Sequence, residues 1–396
     1  MQLSSLLSRF SEPETLRMAK LTRELVSKGI DIISLSLGEP DFDTPKHIKD
    51  AAKKAIDENW SHYTPVAGYA DLRETICNKF TRDNNLSYKS EQIVVSTGAK
   101  QSIANVVLSV VDEDDEVIIP TPYWVSYSAI AGFARGTVKL INAKPENGYK
   151  ITPDELESAI SYKTKLFIFS SPCNPTGAIY TKEELKSLAD VFEKFPRIFI
   201  ISDEIYEYLN YVGKHESIAQ FETLKNRVIV INGLSKGFAM TGWRLGYSAS
   251  SPEIAKACEK VQGQITSGAN AVTQRAAISA LSSPLEPTYE MVKQFKQRKR
   301  RVMELMKDIP LECIEPDGAF YVFPEIDKYF GKKYNEEVIK DADDLCMYLL
   351  NIAHVSVVSG KAFGEPKCIR ISFANSMEKI EEAFKRIKEG LGKLKG

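Results

Sequence analysis

The sequence predicts an α/β protein with a largely parallel sheet, accompanied by a smaller α+β domain. From about residue 90 to 250, short runs rich in β-branched residues recur, and most are apolar throughout, which is typical of strands buried on both faces. Amphipathic stretches with helical spacing separate these runs, as in parallel α/β sheets. The candidate strands are 92–96, 116–120, 137–141, 165–170, 198–202 and 228–232, and the clearest helices are 100–111 and 182–193.

The two ends of the chain follow a different pattern. Residues 14–28 predict an amphipathic helix, and a long charged helix opens the last part of the chain. We therefore expect a large domain over 46–285 and a smaller domain formed by 1–45 together with 286–396. Strand-like pieces of the smaller domain lie near 320–323, 355–358 and 368–373.

Composition and charge disfavour two classes of partner. Lys plus Arg (52) nearly balance Asp plus Glu (53), so no net field attracts nucleic acid or an anionic membrane. The basic run 296–301 follows apolar residues at helical spacing and predicts a solvated helix face. No apolar run approaches the ~20 residues that span a bilayer, and the first residues lack a signal-peptide pattern. Six scattered cysteines without Cys-x-x-Cys spacing indicate free thiols and no metal site, so we expect a cytoplasmic protein.

Polar residues stand at the carboxyl ends of several predicted strands. Asp203 and Tyr206 follow one strand, Asn174 follows a second and Lys236 follows a third. Because ligands of doubly wound sheets bind beyond the carboxyl ends of the strands, these side chains can converge. A fourth strand ends in the small residues 96–99, where amides at the start of a helix can bind a phosphate.

Lys236 is the most informative of these residues. An ammonium at the end of a buried strand is partly desolvated, which lowers its pKa and frees an amine nucleophile. Taken singly, each feature has an ordinary explanation, because most lysines lie in solvated turns and an aspartate after a strand is often a helix cap. Together, an amine, a carboxylate, an amide with a phenol and a phosphate cradle match what pyridoxal phosphate requires.

One block of sequence is highly specific. Residues 235–246 read Ser-Lys-x-Phe-x-Met-x-Gly-Trp-Arg-x-Gly, and other blocks occur at 38–42, 63–68, 122–127, 318–321 and 370–372. In these blocks the chain resembles the class I pyridoxal-phosphate aminotransferases of fold type I, closest to the bacterial aspartate aminotransferase subgroup. The resemblance implies a mostly parallel seven-stranded sheet flanked by helices, and a homodimer with shared active sites.

The resemblance assigns catalysis to Lys236, Asp203 and Tyr206. Lys236 would hold pyridoxal phosphate covalently, yield it to the substrate amine, and then carry the proton between the substrate α-carbon and the cofactor. Asp203 would keep the ring nitrogen protonated, while Asn174 and Tyr206 would bind the phenolic oxygen of the ring. The remaining implied cofactor contacts are Gly98, Ala99, Lys100, Ser235 and Arg244 to the phosphate, Trp124 to the ring face, and Tyr63 to the phosphate of the neighbouring subunit.

The resemblance also implies that substrate recognition centres on Arg370, whose planar guanidinium would bind an α-carboxylate through two hydrogen bonds. A lysine matching Lys100 holds a second carboxylate in relatives, which favours aspartate or glutamate as amino donor. Glu12 stands where relatives that also use prephenate have a lysine, so the sequence disfavours that bulky substrate. The other implied substrate contacts are Gly38, Trp124, Asn174 and Thr15.

The sequence leaves one favoured function and two alternatives. The favoured function is a two-step aminotransferase that takes the amine of an L-amino acid, preferably L-aspartate, and gives it to a 2-oxo acid, preferably 2-oxoglutarate. The first alternative is a β-eliminating lyase, such as a carbon–sulfur lyase, because the same cofactor site can expel a β-substituent. The second is a binding module that kept the fold and lost turnover.

Overall fold

The computed structural model describes residues 3–396, in which helices and strands alternate through the middle of the chain. The helices are α1 (Glu14–Ser27), α2 (Lys46–Asp57), α3 (Ala70–Lys79), α4 (Ala99–Val110), α5 (Ser126–Phe133), α6 (Pro153–Ala159), α7 (Lys182–Lys194), α8 (Pro252–Ile265), α9 (Ala271–Ser282), α10 (Glu286–Met306), α11 (Ala342–Tyr348) and α12 (Met377–Gly392). The strands are β1 (Ile33–Ser34), β2 (Ile93–Ser96), β3 (Glu116–Thr121), β4 (Thr137–Asn142), β5 (Thr164–Ser170), β6 (Phe199–Asp203), β7 (Val228–Gly233), β8 (Gly246–Ala249), β9 (Tyr321–Val322), β10 (Lys333–Tyr334), β11 (Glu337–Val338), β12 (Val355–Ser356), β13 (Val358–Ser359) and β14 (Ile369–Ser372).

A seven-stranded sheet in the order β2-β8-β7-β6-β5-β3-β4 forms the centre of the molecule. Strand β8 runs antiparallel to both of its neighbours, and the other adjacent pairs are parallel. This confirms the predicted mostly parallel sheet, and each of the six strands located in the sequence agrees with the structure to within one residue at either end. Strand β8 was not predicted, because its sequence, Gly-Tyr-Ser-Ala, is short and lacks an apolar run.

The sheet is buried on both faces, which explains its continuous apolar runs. Along β6, Ile200 packs into the hydrophobic cluster on one face, and its neighbour Ile201 packs into the cluster on the other. Helix α7 on one side begins with a capping box in which Thr181 and Glu184 bond each other's backbone amides. The apolar layers therefore fix the sheet and leave the carboxyl ends of its strands free to carry polar groups.

A third apolar cluster joins the two ends of the chain. It gathers residues of α10, α11 and α12 around strands β9 and β14, which form an antiparallel sheet with β13. Strand β1 pairs in parallel with β12, so residues near the N-terminus contact the last third of the chain. The domain limits 46–285, 1–45 and 286–396 remain a prediction, since no independent observation defines them.

The basic run in α10 is only partly solvated. Arg298 and Lys299 are 7% and 8% exposed. Arg298 donates to both carboxylate oxygens of Asp41, at 2.6 and 2.9 Å, and Lys299 Nζ lies 2.7 Å from a carboxylate oxygen of Glu315. The prediction of a solvated face is wrong for these two residues, because their acidic partners lie outside the helix and leave no trace in its periodicity.

No helix within residues 3–396 combines the length and the apolar character that a membrane span requires. The six cysteines are free thiols, and four of them are buried. Burial raises the pKa of the Cys258 thiol to about 12, so this sulfur stays protonated at neutral pH.

Candidate active site

A cavity of about 240 Å³ lies beyond the carboxyl ends of the central strands. Strand β6 ends at Asp203, and Lys236 follows the end of β7. The cavity collects nearly every site residue that the sequence indicates, although the chain separates them widely. The predicted residues that line it are Thr15, Gly38, Ala99, Lys100, Trp124, Asn174, Asp203, Tyr206, Ser235, Lys236, Arg244 and Arg370.

The Lys236 side chain is partly buried, and its Nζ donates a hydrogen bond to the carbonyl oxygen of Gly38. Burial lowers the pKa of Lys236 to about 8, and the cation of Arg370 acts in the same direction. A substantial fraction of the amine is therefore neutral near physiological pH. This is the state that a nucleophilic lysine requires.

Asp203 is 4% exposed at the floor of the cavity. Its Oδ2 accepts a hydrogen bond from the Tyr127 hydroxyl at 2.6 Å, and its Oδ1 accepts from the Ile205 amide at 3.2 Å. Burial raises the pKa of Asp203 to about 6, while the Tyr127 hydrogen bond acts to lower it. The carboxylate lacks a strong cationic partner in the protein, so a cationic ligand group would be well stabilised beside it.

The sequence assigned no role to Tyr127. It is fully buried and stands three residues after Trp124, at the start of α5. Apart from its place in the block 122–127, the only signal was this spacing, which places both aromatic residues on one side of a turn. Their rings contact edge to face, with centroids 5.5 Å apart.

Arg370 is 2% exposed and has no acidic partner among residues 3–396. Its Nη1 donates to Asn174 Oδ1 at 3.0 Å and its Nη2 to the Ser36 carbonyl at 2.6 Å. Its buried Nε has no hydrogen-bond partner. A buried guanidinium with an unsatisfied donor favours an anionic ligand, because leaving such a group unpaired is costly.

Two tyrosines meet beside this arginine. The Tyr206 and Tyr321 hydroxyls are 2.8 Å apart and both side chains are buried. The Arg370 guanidinium lies 4.5 Å from the centre of the Tyr321 ring. Tyr321 was part of a recognised sequence block, but no role for it could be read from the sequence.

The start of α4 forms an open cradle of backbone amides. Gly98 adopts a left-handed φ of +87°, and its amide donates to the Ser96 carbonyl at 2.8 Å. Ala99 and Lys100 follow with amides that have no acceptor among residues 3–396. A Cβ on Gly98 would lie 2.5 Å from Arg244 Nη2, so glycine keeps this cradle open beside the arginine. Gly98 thus supplies the turn, and the next two amides supply the free donors.

The mouth of the cavity carries Lys100, whose Nζ lies 5.0 Å from the centre of the Trp124 ring. Burial and the nearby Arg244 cation lower the pKa of Lys100. Thr15, from α1, lines the same cavity. Lys100 has no acidic partner within the described residues, so its ammonium is available to an incoming anion.

Tyr63 lies outside the cavity. Its side chain is 99% exposed and lines a separate surface depression with Trp60 and the segment 268–271. A single chain therefore does not bring Tyr63 to the other predicted site residues.

The residues that line the cavity carry an excess of positive charge. Four cations, Lys100, Lys236, Arg244 and Arg370, face a single carboxylate, that of Asp203. The Ser170 hydroxyl in the same cavity is also buried without a partner. A ligand with a phosphate, a carboxylate and one cationic nitrogen fits this arrangement.

Comparisons with known proteins agree with this geometry. The family model described as aminotransferase class I and II matches residues 30–387. An aspartate aminotransferase from Bacillus subtilis is 43% identical over 98% of this chain and 98% of its own length. A probable aspartate/prephenate aminotransferase from Rickettsia felis is 42% identical over 99% of this chain and 97% of its own.

Solved structures match over nearly the whole chain. The aspartate aminotransferase from Rhizobium meliloti has a TM-score of 0.96 and 38% identity, with both chains covered completely. The Thermus thermophilus aspartate aminotransferase with maleate has a TM-score of 0.92 and 34% identity, over 98% of this chain and 100% of the other. The fold is therefore fold type I of the pyridoxal-phosphate enzymes. The protein is an aminotransferase that acts on small molecules with pyridoxal phosphate as cofactor, and the chain belongs to the class I and II aminotransferases.

Proposed function

We propose that the enzyme transfers the amino group of L-aspartate to 2-oxoglutarate in two half-reactions at this one cavity. The observation that carries the proposal is the set of unpaired cations, with Arg370 deep in the cavity and Lys100 at its mouth. Two separated cations suit a substrate with two carboxylates, and both proposed substrates are dicarboxylates. The relatives named as aspartate aminotransferases support the same choice.

In this proposal the cofactor contacts divide between its two ends. The phosphate is held by the Ala99 and Lys100 amides, by the Ser235 hydroxyl and by Arg244, with Gly98 shaping the turn. Trp124 packs against the ring. When bound, pyridoxal phosphate supplies an electron-withdrawing ring that stabilises negative charge at the substrate α-carbon.

The three proposed catalytic groups act at different atoms. Asp203 pairs with the ring nitrogen and keeps it protonated, for which its buried carboxylate is suited. Tyr206 and Asn174 donate hydrogen bonds to the phenolic oxygen of the ring. Lys236 would hold the cofactor through its amine, and the same amine in its neutral form would take and return the α-proton of the substrate.

Substrate binding in the proposal centres on Arg370. Its guanidinium receives the α-carboxylate, with Asn174 bracing it and Gly38 and Trp124 lying alongside. The Lys100 ammonium, assisted by Thr15, receives the distal carboxylate. Closure of these contacts around the substrate excludes water from the reacting carbon.

We also propose that two chains form a homodimer in which Tyr63 completes the partner's cofactor site. The exposure of its aromatic ring on the surface of one chain supports a role across an interface. The free cysteines support a reducing compartment, and we propose the cytoplasm.

The test replaces the cation at the mouth of the cavity. Lys100→Met keeps the backbone amide of the phosphate cradle and removes only the ammonium. We expect kcat/KM for L-aspartate to fall by on the order of 10²-fold, since a charged pair is lost, while kcat/KM for L-2-aminobutyrate, which lacks the distal carboxylate, changes little. Equal losses for both donors would contradict the assignment of Lys100.

The same assay separates the alternatives. A donor panel without any oxo acid would release pyruvate and ammonia continuously from a β-eliminating lyase. An aminotransferase instead stops after one turnover until 2-oxoglutarate is supplied. A binding module without turnover would show neither behaviour.

A further inference from the structure

We propose that Tyr321 is a positioning residue for Tyr206. Its hydroxyl donates a hydrogen bond to Tyr206 Oη and thereby directs the single Tyr206 proton towards the cofactor. The inference rests on the proposed function, in which Tyr206 binds the phenolic oxygen of pyridoxal phosphate. It adds a second tyrosine whose effect reaches the cofactor only through the first.

The contact between the two hydroxyls is close and buried. Tyr206 is 4% exposed and Tyr321 is fully buried, and the 2.8 Å between their oxygens is the usual length for such a bond. No other hydrogen bond is made by the Tyr321 hydroxyl within residues 3–396. Within the described residues its proton therefore has one acceptor, the Tyr206 oxygen.

The direction of the bond follows from counting protons. A tyrosine hydroxyl has one proton to donate and two lone pairs to accept with. If Tyr206 gave its proton to Tyr321, it could not donate to the cofactor, and the Tyr321 proton would have no acceptor among residues 3–396. If Tyr321 donates, both hydroxyls are satisfied once the cofactor is bound, and the chain of two bonds polarises the Tyr206 donor.

The surroundings of Tyr321 hold its hydroxyl in place. Strand β9 places Tyr321 opposite Ser372 of β14, two residues beyond Arg370. Burial raises the pKa of Tyr321. The Arg370 cation over the ring acts in the opposite direction, so it makes the Tyr321 hydroxyl a better donor. A side chain on Gly38 would collide with the Tyr321 hydroxyl, so glycine at this position makes room for it.

The experiment follows the visible absorption of the cofactor bound to Lys236 as a function of pH, without substrate. A hydrogen bond to the phenolic oxygen stabilises negative charge there and lowers the pKa of the nitrogen that joins Lys236 to the cofactor. Tyr206→Phe should raise this pKa by about 1–2 units. Tyr321→Phe should raise it by a few tenths of a unit, because it removes only the polarising bond.

The double variant decides how Tyr321 acts. If Tyr321 works through Tyr206, then Tyr206→Phe combined with Tyr321→Phe has the same pKa as Tyr206→Phe alone. Tyr348→Phe is the matched control, since this buried hydroxyl donates one bond of 2.7 Å, to the Gly390 carbonyl, far from the cavity. It should leave the absorption pKa unchanged whatever it does to stability.

The other possible results would contradict either the positioning role of Tyr321 or the proposed function. An unchanged pKa in Tyr321→Phe, with a raised pKa in Tyr206→Phe, overturns the positioning role and leaves the proposed function standing. Additive shifts in the double variant also overturn it, because Tyr321 would then act on the cofactor independently. A wild-type protein without any titrating visible band would overturn both the inference and the proposed function.

Discussion

The turn after β6 separates two regions that both contain buried charge but pair it differently. Asp203 and Tyr206 point into the cavity, where the cations of Arg370 and Lys236 have no acidic partner among residues 3–396. On the other side of the same turn, acids and bases contact each other directly. We call this second region the back cluster and define it as Lys79, Asp83, Asn84, Glu204, Glu207 and His215.

One half of the back cluster surrounds Glu204. This carboxylate is completely buried, yet its Oε1 accepts hydrogen bonds from Ser202 at 2.8 Å and from Ser217 at 2.5 Å. Its Oε2 lies 2.9 Å from His215 Nε2. Every part of the carboxylate is therefore satisfied within the protein.

The other half surrounds Lys79, which is 1% exposed. Its Nζ lies 2.5 Å from Glu207 Oε1 and donates to Asn84 Oδ1 at 2.6 Å. Asn84 in turn donates to Glu207 Oε2 at 2.8 Å. Glu204, Glu207 and His215 bring metal-ligand atoms within 4.8 Å of one another, but the Lys79 ammonium already supplies positive charge at this place.

A ligand site differs from a structural cluster of similar composition in how its charges are paired. Both regions contain carboxylates and cations in a low-dielectric interior. In the back cluster each charged group has a partner of opposite sign within the protein, so removing one partner should destabilise the fold. The pairs are Lys79 with Glu207, Arg82 with Asp83, and His215 with Glu204. In the cavity the excess of cations requires a ligand to supply negative charge. Buried charge alone therefore does not mark a functional site, and unpaired buried charge does.

The largest effect should come from the acid on the cavity side. Asp203→Asn keeps the bond from Tyr127 but removes the negative charge, so the ring nitrogen loses its partner. We expect kcat/KM for L-aspartate to fall by on the order of 10³-fold, corresponding to about 4 kcal/mol. The stability of the cofactor-free protein should change little, since Asp203 has no cationic partner there. A variant with activity within threefold of wild type would contradict the role of Asp203.

The next largest effect should come from a substitution that breaks an ion pair in the back cluster. Glu207→Gln leaves the Lys79 ammonium buried without its nearest counter-charge, while Asp83 remains 3.9 Å away, so the free energy of unfolding in urea should fall by about 3 kcal/mol. The matched control is Glu304→Gln, which breaks exposed pairs with Arg300 and Arg301 and should cost less than about 1 kcal/mol. Equal losses of unfolding free energy in the two variants would show that the buried pair contributes no more to stability than the exposed pairs do.

A change at Arg370 should weaken substrate binding more than it lowers stability, which is the reverse of the expectation for Glu207. Arg370→Leu should raise KM for all substrates with an α-carboxylate alike, by the equivalent of about 2–5 kcal/mol. Its cost in unfolding free energy should be smaller than that of Glu207→Gln, because Arg370 has no ionic partner in the protein. A raised KM for a single amino donor would mean that Arg370 binds the side chain of that donor and not the α-carboxylate.

The smallest effect concerns the pH dependence of stability. Burial acts to lower the pKa of His215, but the charge and hydrogen bond of Glu204 outweigh it, so the folded-state pKa is raised. The resulting stabilisation is complete below the unfolded-state pKa of about 6.5 and is lost as pH rises through the folded-state value. The difference in unfolding free energy between wild type and His215→Asn should therefore shrink on going from about pH 6 to pH 9. A constant difference would indicate that His215 stays neutral.

The sequence predicted the cavity side of the turn far better than the back. Lys236, Asp203 and Asn174 follow apolar strands, and their convergence follows from the geometry of a parallel sheet. The phenol partners could not be found in this way, because Tyr127 and Asp203 are 76 residues apart and Tyr206 and Tyr321 are 115 apart. A buried hydroxyl has no periodic signature that names its partner.

The back cluster was missed for the same reason. Glu204 and Glu207 read as acids in a turn, and Lys79 reads as one more lysine near the end of α3. Only the packing of α3 against the turn shows that these charges are paired and buried. The basic run in α10 was misjudged likewise, since Asp41 lies in a distant segment.

We expect the Lys236 amine, whose pKa burial lowers to about 8, to hold pyridoxal phosphate in this cavity. The most direct measurement is borohydride reduction of the protein incubated with pyridoxal phosphate, followed by peptide mapping. The reduction makes the bond between amine and cofactor permanent, so we expect a single labelled peptide that carries the cofactor on Lys236, and none in Lys236→Ala. Labelling at another lysine, or a wild-type protein that takes up no label, would contradict it.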